Sequence, residues 1–190
     1  MSSSELQTAV IIGSNRAGRF APTVTRWFMH QARTRGDMSF DVIDLAEVDL
    51  PAVYPMEPTP AVQAYVERID RADSFVIVTP EYNHGYPASL KQAIDVPMQE
   101  WKAKPVGFVS YGGVSGGLRA VEQLRQVFAE LHAVTIRDSV SFAMAHGRFD
   151  DAGELLDPAD AEVAAKTMLD QLAWWADALR TARTAHPYAA

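Results

Sequence analysis

The sequence predicts a doubly wound α/β fold: a five-stranded parallel sheet in the order 2-1-3-4-5 with helices on both faces. Three observations predict it. Short apolar runs rich in β-branched residues alternate five times with stretches of helical periodicity. Residues 74–79, Ser-Phe-Val-Ile-Val-Thr, form a continuous apolar run of the kind covered on both faces, as in a parallel sheet. The loops after the first, third and fourth runs are unusual in composition, and these are the loops that meet at the switch point of such a sheet.

In chain order, the first strand is expected at about 8–13. Phe20, Val24, Trp27, Phe28 and Ala32 then recur at helical spacing, and this helix should end near Gly36. Residues 38–45 give the second strand. Residues 51–60 hold four prolines among Val53, Tyr54 and Met56, which predicts an ordered loop lying on a surface. A helix over 60–72 and the strand at 74–79 follow. Pro80 ends that strand, and Pro87 sits near the first turn of the next helix.

Residues 105–110 form the fourth strand, and Gly112, Gly113, Gly116 and Gly117 the loop after it. Val121, Leu124, Phe128 and Leu131 keep a helical stripe, and 134–136 begin the last strand. Residues 139–153 read as irregular, with His146 and Asp150 either at a site or in solvent. Asp157 should cap and Pro158 open a final helix whose Ala161, Ala164, Met168, Leu172, Trp175 and Leu179 face the core. Trp174 lies off that stripe, under an oligomer contact or a loop.

Composition bounds the rest. At 190 residues the chain can bury a full core, and one domain over 1–190 is expected. No apolar run approaches the roughly 18 residues that span a bilayer, and the first residues lack the pattern of a signal peptide. A cytoplasmic protein with no membrane partner is therefore expected. Zero cysteines exclude disulfides, thiol catalysis and cysteine-ligated metals, so redox chemistry would need a bound organic cofactor. The formal charge of -7, from 17 basic and 24 acidic residues, argues against nucleic acid as a partner. His30, His132 and His186 have no partners at metal-ligand spacing and read as surface residues; no metal site is expected.

The first loop, 13–19, reads Gly-Ser-Asn-Arg-Ala-Gly-Arg before a helix. Ser14, Arg16 and Arg19 would surround a helix N-terminus, which already presents free N–H groups and partial positive charge. The spacing Gly13 to Gly18 matches a P-loop, but Arg19-Phe20 stands where Lys and Ser/Thr are required. No second glycine follows Gly13 at the spacing a dinucleotide fingerprint demands. Two arginines and a serine instead suit a terminal phosphomonoester. A glycine turn with solvated arginines is the alternative. The second loop, Pro80-Glu81-Tyr82-Asn83-His84-Gly85-Tyr86-Pro87, brings aromatics, a carboxylate and backbone donors to the same place. The third, Ser110-Tyr111-Gly112-Gly113, allows the main chain to approach a flat ring. A phosphate seat beside two loops that clasp a planar heterocycle describes flavin mononucleotide, FMN.

With these three loops the chain resembles the NAD(P)H-dependent FMN reductases of flavodoxin-like fold. The residues that carry the resemblance are 13–19, Pro80-Glu81-Tyr82-Asn83 with Leu90-Lys91-Gln92-Ala93-Ile94-Asp95, and the run 110–120. Together they cover about 11–131. The resemblance implies phosphate contacts from Ser14, Arg16 and Arg19, with Phe20 beside them. It implies ring contacts from Pro80, Glu81, Tyr82, Asn83, Ser110, Gly112 and Gly113, and a homodimer or homotetramer whose interface borders the flavin. Many members carry a serine where Arg19 stands, so this chain looks like an arginine-bearing branch.

NADPH or NADH would be the co-substrate, with Gly116, Gly117 and Arg119 near its phosphates; the alternative for Arg119 is a solvated arginine. Small-molecule electron acceptors such as flavin, quinones, azo dyes or metal oxyanions would take the electrons. No obligatory acid or base is assigned, because the cofactor performs the chemistry. Glu81 either anchors its loop, bonds across a subunit interface or is solvated. Tyr82 either packs at the ring or caps the core. His84 either donates a proton to a reduced acceptor or is an exposed loop residue, and Lys91 and Asp95 form at most a weak surface pair. Two other readings stay open: a flavodoxin-like electron carrier that binds FMN without oxidising NAD(P)H, and an interaction protein that has lost the flavin.

Overall fold

The structure is a computed structural model that describes residues 5–53 and 56–189. In chain order its elements are β1 (Leu6–Ile12), α1 (Ala21–Ala32), β2 (Met38–Asp44), α2 (Pro60–Arg71), β3 (Ser74–Pro80) and α3 (Ala88–Asp95). These are followed by β4 (Pro105–Tyr111), α4 (Leu118–Glu130), β5 (Val134–Phe142) and α5 (Ala159–Ala185). The strands pair in the order β2-β1-β3-β4-β5, all parallel.

Burial follows directly from the pattern of the strands. Every residue of β3 and of β4 is buried, because both are central strands covered above and below. One face packs on α1 and α5 through Val10, Val76, Trp27, Phe28, Met168 and Leu172. The other packs on α2, α3 and α4 through Ile11, Ile77, Tyr65, Leu90 and Phe128, with Trp101 at its centre. Two of the polar groups carried into these layers bond main-chain carbonyls. Trp101 Nε1 donates to Ile94 O at 3.0 Å, and Lys104 Nζ donates to the carbonyls of Ile69 and Asp70 at the end of α2. Burial pushes the Lys104 ammonium down to about 8.

Local starts differ from helix to helix. Thr59 caps α2 by accepting the Val62 N–H at 3.3 Å. No side chain caps α1, and its first turn contains no acidic residue, so the positive end of its dipole is uncompensated. The start of α4 is a glycine device. Gly117 has φ +87°, and a Cβ there would lie 2.7 Å from Ser110 Cβ and 2.9 Å from the Tyr111 nitrogen. Only glycine fits that approach of two main chains.

Four expectations need correction. Residues 139–142 belong to β5, which runs on to Phe142. The alternation of Ile136, Val140 and Phe142 towards the core was masked by Asp138 and two serines. The final helix starts at Ala159 after Pro158, and no side chain caps it, so Asp157 does not play that part. Its inner stripe is Ala161, Ala165, Met168, Leu169, Leu172, Ala173 and Ala176. Trp175 is therefore turned away from the core, and it and Trp174 are both exposed, ring against ring at 5.1 Å. In the proline-rich segment Val53 and Met56 face solvent, while Tyr54 and Pro55 lie outside the described residues. His30, His132 and His186 are exposed, and Lys91 bonds Asp95 at the surface.

Gly117→Ala should cost about 3 kcal/mol of stability, from backbone strain at positive φ and overpacking against β4. Urea unfolding of the two proteins measures it. A loss below about 0.5 kcal/mol, the scale of a neutral surface change, would contradict the close approach.

Candidate functional site

The chain leaves β1 for α1 on one face and leaves β3 for α3 on the other. The loops that follow these two paired strands therefore diverge, and a crevice opens between them. The loop after β4 closes its far side, so loops 13–20, 81–87 and 112–117 share one edge of the sheet.

In the first loop Ser14 is buried, and its Oγ lies 2.8 Å from Tyr82 Oη. That bond ties the first loop to the second. Arg16 is exposed, its guanidinium 5.8 Å from the centre of the Tyr82 ring. Arg19 is held differently. It forms an ion pair with Asp44 at the end of β2, both side chains about five-sixths buried. Its Nε remains enclosed with no partner. Phe20, half buried, packs against His146 at 4.6 Å, Phe149 at 5.4 Å and Tyr111 at 6.2 Å.

The second loop turns through Asn83 and His84, both at positive φ. Tyr82 and Gly85 exchange backbone hydrogen bonds of 2.8 and 3.0 Å across them, the pattern of a tight two-residue turn. Gln123 Nε2 supports it from α4 by donating to His84 O. Pro80 is buried at the end of β3.

Glu81 joins the second loop to the third. Its Oε2 accepts the Arg119 N–H and its Oε1 the Arg119 guanidinium, each at 3.1 Å. The carboxylate thereby caps α4 from a neighbouring loop, a favourable place for negative charge. Its side chain is only 7% exposed. Burial alone would raise its carboxyl. The hydrogen bonds from the Ser115 hydroxyl and the Arg119 N–H, with the Arg119 guanidinium, outweigh burial and hold it below the ordinary value. Glu81 is thus an anchor within its own chain.

The third loop is braced from behind. Ser110 Oγ and Ser141 Oγ both donate to Gly116 O, at 2.8 and 2.9 Å. Ser110, Gly116 and Gly117 are buried, so they shape the site without reaching its open side. Gly113 and Arg119 are exposed there, with Gly112 half buried. The resulting cleft, of about 720 Å³, is lined by Glu81, Asn83, His84, Gly113, Val114 and Arg119 among others. Tyr111, singled out in the sequence only as a member of the third loop, is buried, and its Oη has no partner.

Chemically, the first loop offers a hydroxyl, two guanidinium groups and an uncompensated helix start. That is a donor set for an anionic tail. The cleft beside it has an exposed glycine main chain on one side and a tight turn on the other, as a flat ring requires. FMN fits this arrangement: its phosphate would meet Ser14, Arg16 and the unpaired Arg19 Nε, and its ring would lie between the second and third loops.

Sheet order and crevice together define a flavodoxin-like protein. The chain belongs to the NADPH-dependent FMN reductase family, whose model matches residues 6–147. An NAD(P)H-dependent FMN reductase of Schizosaccharomyces pombe is 39% identical over 130 residues, 62% of this chain and 63% of its own length. The chain thus spans less than two thirds of that relative. A quinone reductase of Escherichia coli is 39% identical over 144 residues, 70% of this chain and 75% of its own. Among solved structures, FerB of Paracoccus denitrificans, a flavoenzyme NAD(P)H:(acceptor) oxidoreductase, superposes with a TM-score of 0.75. It does so at 22% identity over 90% of this chain and 97% of FerB, a likeness of fold.

The Glu81 bridge gives a pH-dependent prediction. A carboxyl held below its ordinary value of 4.5 adds stability that is present above that value and lost as pH falls through the folded value. Glu81→Gln should cost about 1 kcal/mol at neutral pH, discounted because Arg119 is half exposed. Chemical unfolding at several pH values should show the gap between the two proteins closing as pH falls below the ordinary carboxyl value of 4.5. A gap that stays constant throughout acid unfolding would contradict the bridge.

Proposed function

We propose that this chain is an NAD(P)H-dependent oxidoreductase that uses bound FMN to pass hydride from NADPH or NADH to an acceptor: free flavin, a quinone, or other small molecules such as azo dyes and metal oxyanions. One observation carries the reading. Anion-binding donors on the first loop adjoin an open cleft between the second and third. Membership of the reductase family and the names of the yeast and bacterial relatives support it.

When bound, FMN supplies the hydride acceptor and donor. The protein's part is placement and electrostatics. Ser14 and Arg16 hold the phosphate end. Pro80 to Asn83 and the main chain at Gly112 and Gly113 hold the ring, while Ser110 fixes the third loop from behind. Arg119, anchored by Glu81 at the start of α4, offers its exposed guanidinium to the phosphates of the nicotinamide nucleotide, with Gly116 and Gly117 setting its position. No side chain is given a proton-transfer role.

One domain carries all of this, and a cytoplasmic location suits the co-substrate. No helix among the described residues is long and apolar enough to cross a membrane. Val114, Leu118 and Met144 are exposed around the cleft, which supports a homodimer or homotetramer whose contact borders it.

The test is to mix purified protein with FMN and NADPH, or NADH, in air and follow nicotinamide absorbance. Rapid oxidation that requires FMN is expected. Arg16→Ala should raise the FMN concentration for half-maximal rate about tenfold, the worth of one charge-assisted contact. Arg19 is the poorer probe, since its removal strands Asp44. FMN binding without oxidation would replace this reading with an electron carrier, and no FMN binding would leave the interaction protein.

A further inference from the structure

We propose that Tyr111 is a neutral hydrogen-bond donor to the FMN phosphate, completing a seat that the Ser-Asn-Arg loop leaves one group short. This rests on the FMN reading above and adds a residue to it.

Tyr111 is the last residue of β4, paired with Pro80 on β3 and Phe142 on β5. It therefore stands at the edge of the sheet where the three loops meet. Its side chain points to the α1 side and packs edge-on to Phe20, which puts it beneath the end of the first loop. The residue is 5% exposed. Its hydroxyl is enclosed and has no hydrogen-bond partner, and the same holds for Arg19 Nε. The Arg19 guanidinium and the Tyr82 hydroxyl both act on the Tyr111 hydroxyl through space, so the orphaned groups share a neighbourhood with the Ser14–Tyr82 pair.

A phenylalanine would fill the same apolar pocket without burying an unsatisfied group. Native proteins seldom leave such groups unpaired, and an orphan beside a candidate ligand site points to a water, an ion or a ligand as its partner. Two enclosed donors in the neighbourhood of the first loop, each without an acceptor, suit an occupant that accepts hydrogen bonds. A phosphomonoester near its dianionic form does so.

Charge balance points the same way. Asp44 already compensates Arg19, which leaves Arg16 as the uncompensated cation of the loop against a ligand of almost two negative charges. Neutral donors must carry the remainder. Burial pushes the Tyr111 phenol above its usual range, so the O–H needed for donation persists across the working pH.

The test uses the full-length apoprotein and Tyr111→Phe, titrated with FMN and with riboflavin by quenching of flavin fluorescence, alongside thermal melting without flavin. The variant should bind FMN about tenfold more weakly and riboflavin within about twofold of wild type. It should melt at or above the wild-type temperature, because a buried orphan has been removed. Thr25→Val is the control. Thr25 Oγ1 is also buried and unpartnered but lies within α1, and its loss should leave FMN affinity unchanged. Unchanged FMN affinity in Tyr111→Phe overturns the proposal. So does equal weakening of FMN and riboflavin, which would place the hydroxyl away from the phosphate. Wild-type protein that binds no FMN would bring down the FMN reading as well, whereas wild type that binds FMN alongside an unimpaired variant removes only the role of Tyr111.

Discussion

The reversal of winding between β1 and β3 is the constraint on which everything else in this molecule rests. Parallel strands send each carboxyl end to the same edge, and right-handed crossovers to opposite faces force the loops after β1 and β3 apart. The gap cannot be closed by packing, because both strands are already covered on each face. It must be lined with groups that tolerate water or a ligand. The sequence spends its least regular residues there: a hydroxyl and two arginines on one side, a turn with two positive-φ residues on another, four glycines on the third.

The loops are not independent of one another. Ser14 and Tyr82 join the first to the second, and Glu81 joins the second to the third through α4. Ser110 and Ser141 fix Gly116 from beneath. A rigid frame of this kind is what lets a site hold a cofactor in one orientation, since ordering the loops has been achieved by folding and need not be repeated on binding. Arg19 belongs partly to that frame: its pairing with Asp44 clamps the loop to β2, and its enclosed Nε has no partner.

Much of this was legible in the chain. The all-apolar run of β3 announced a strand covered on both faces, and its position between two unusual loops placed the crevice. The stripe in α4 and the prolines at Pro60 and Pro87 marked helices to within a residue or two. What could not be read was tertiary. Ser141 looks like a loop residue until β5 is seen to place its hydroxyl under Gly116. Trp175 looks like core by its bulk, yet the small residues Ala165, Ala173 and Ala176 are what allow α5 to lie close on the sheet. Tyr111 could be read only as part of the third loop, because an orphaned hydroxyl is a property of its surroundings. Glu81 could equally have been solvated, and only the start of α4 beside it gives the carboxylate a purpose.

The central claim is that three loops distant in sequence hold one flavin, its phosphate on the first loop and its ring between the other two. A crystal structure of the FMN complex tests this most directly. The account predicts phosphate oxygens within hydrogen-bonding distance of Ser14 and Arg16, with the ring lying in the cleft between Asn83 and Gly113. FMN with its phosphate away from the first loop, or bound elsewhere, as in the groove of about 530 Å³ between α1 and α5, would contradict it.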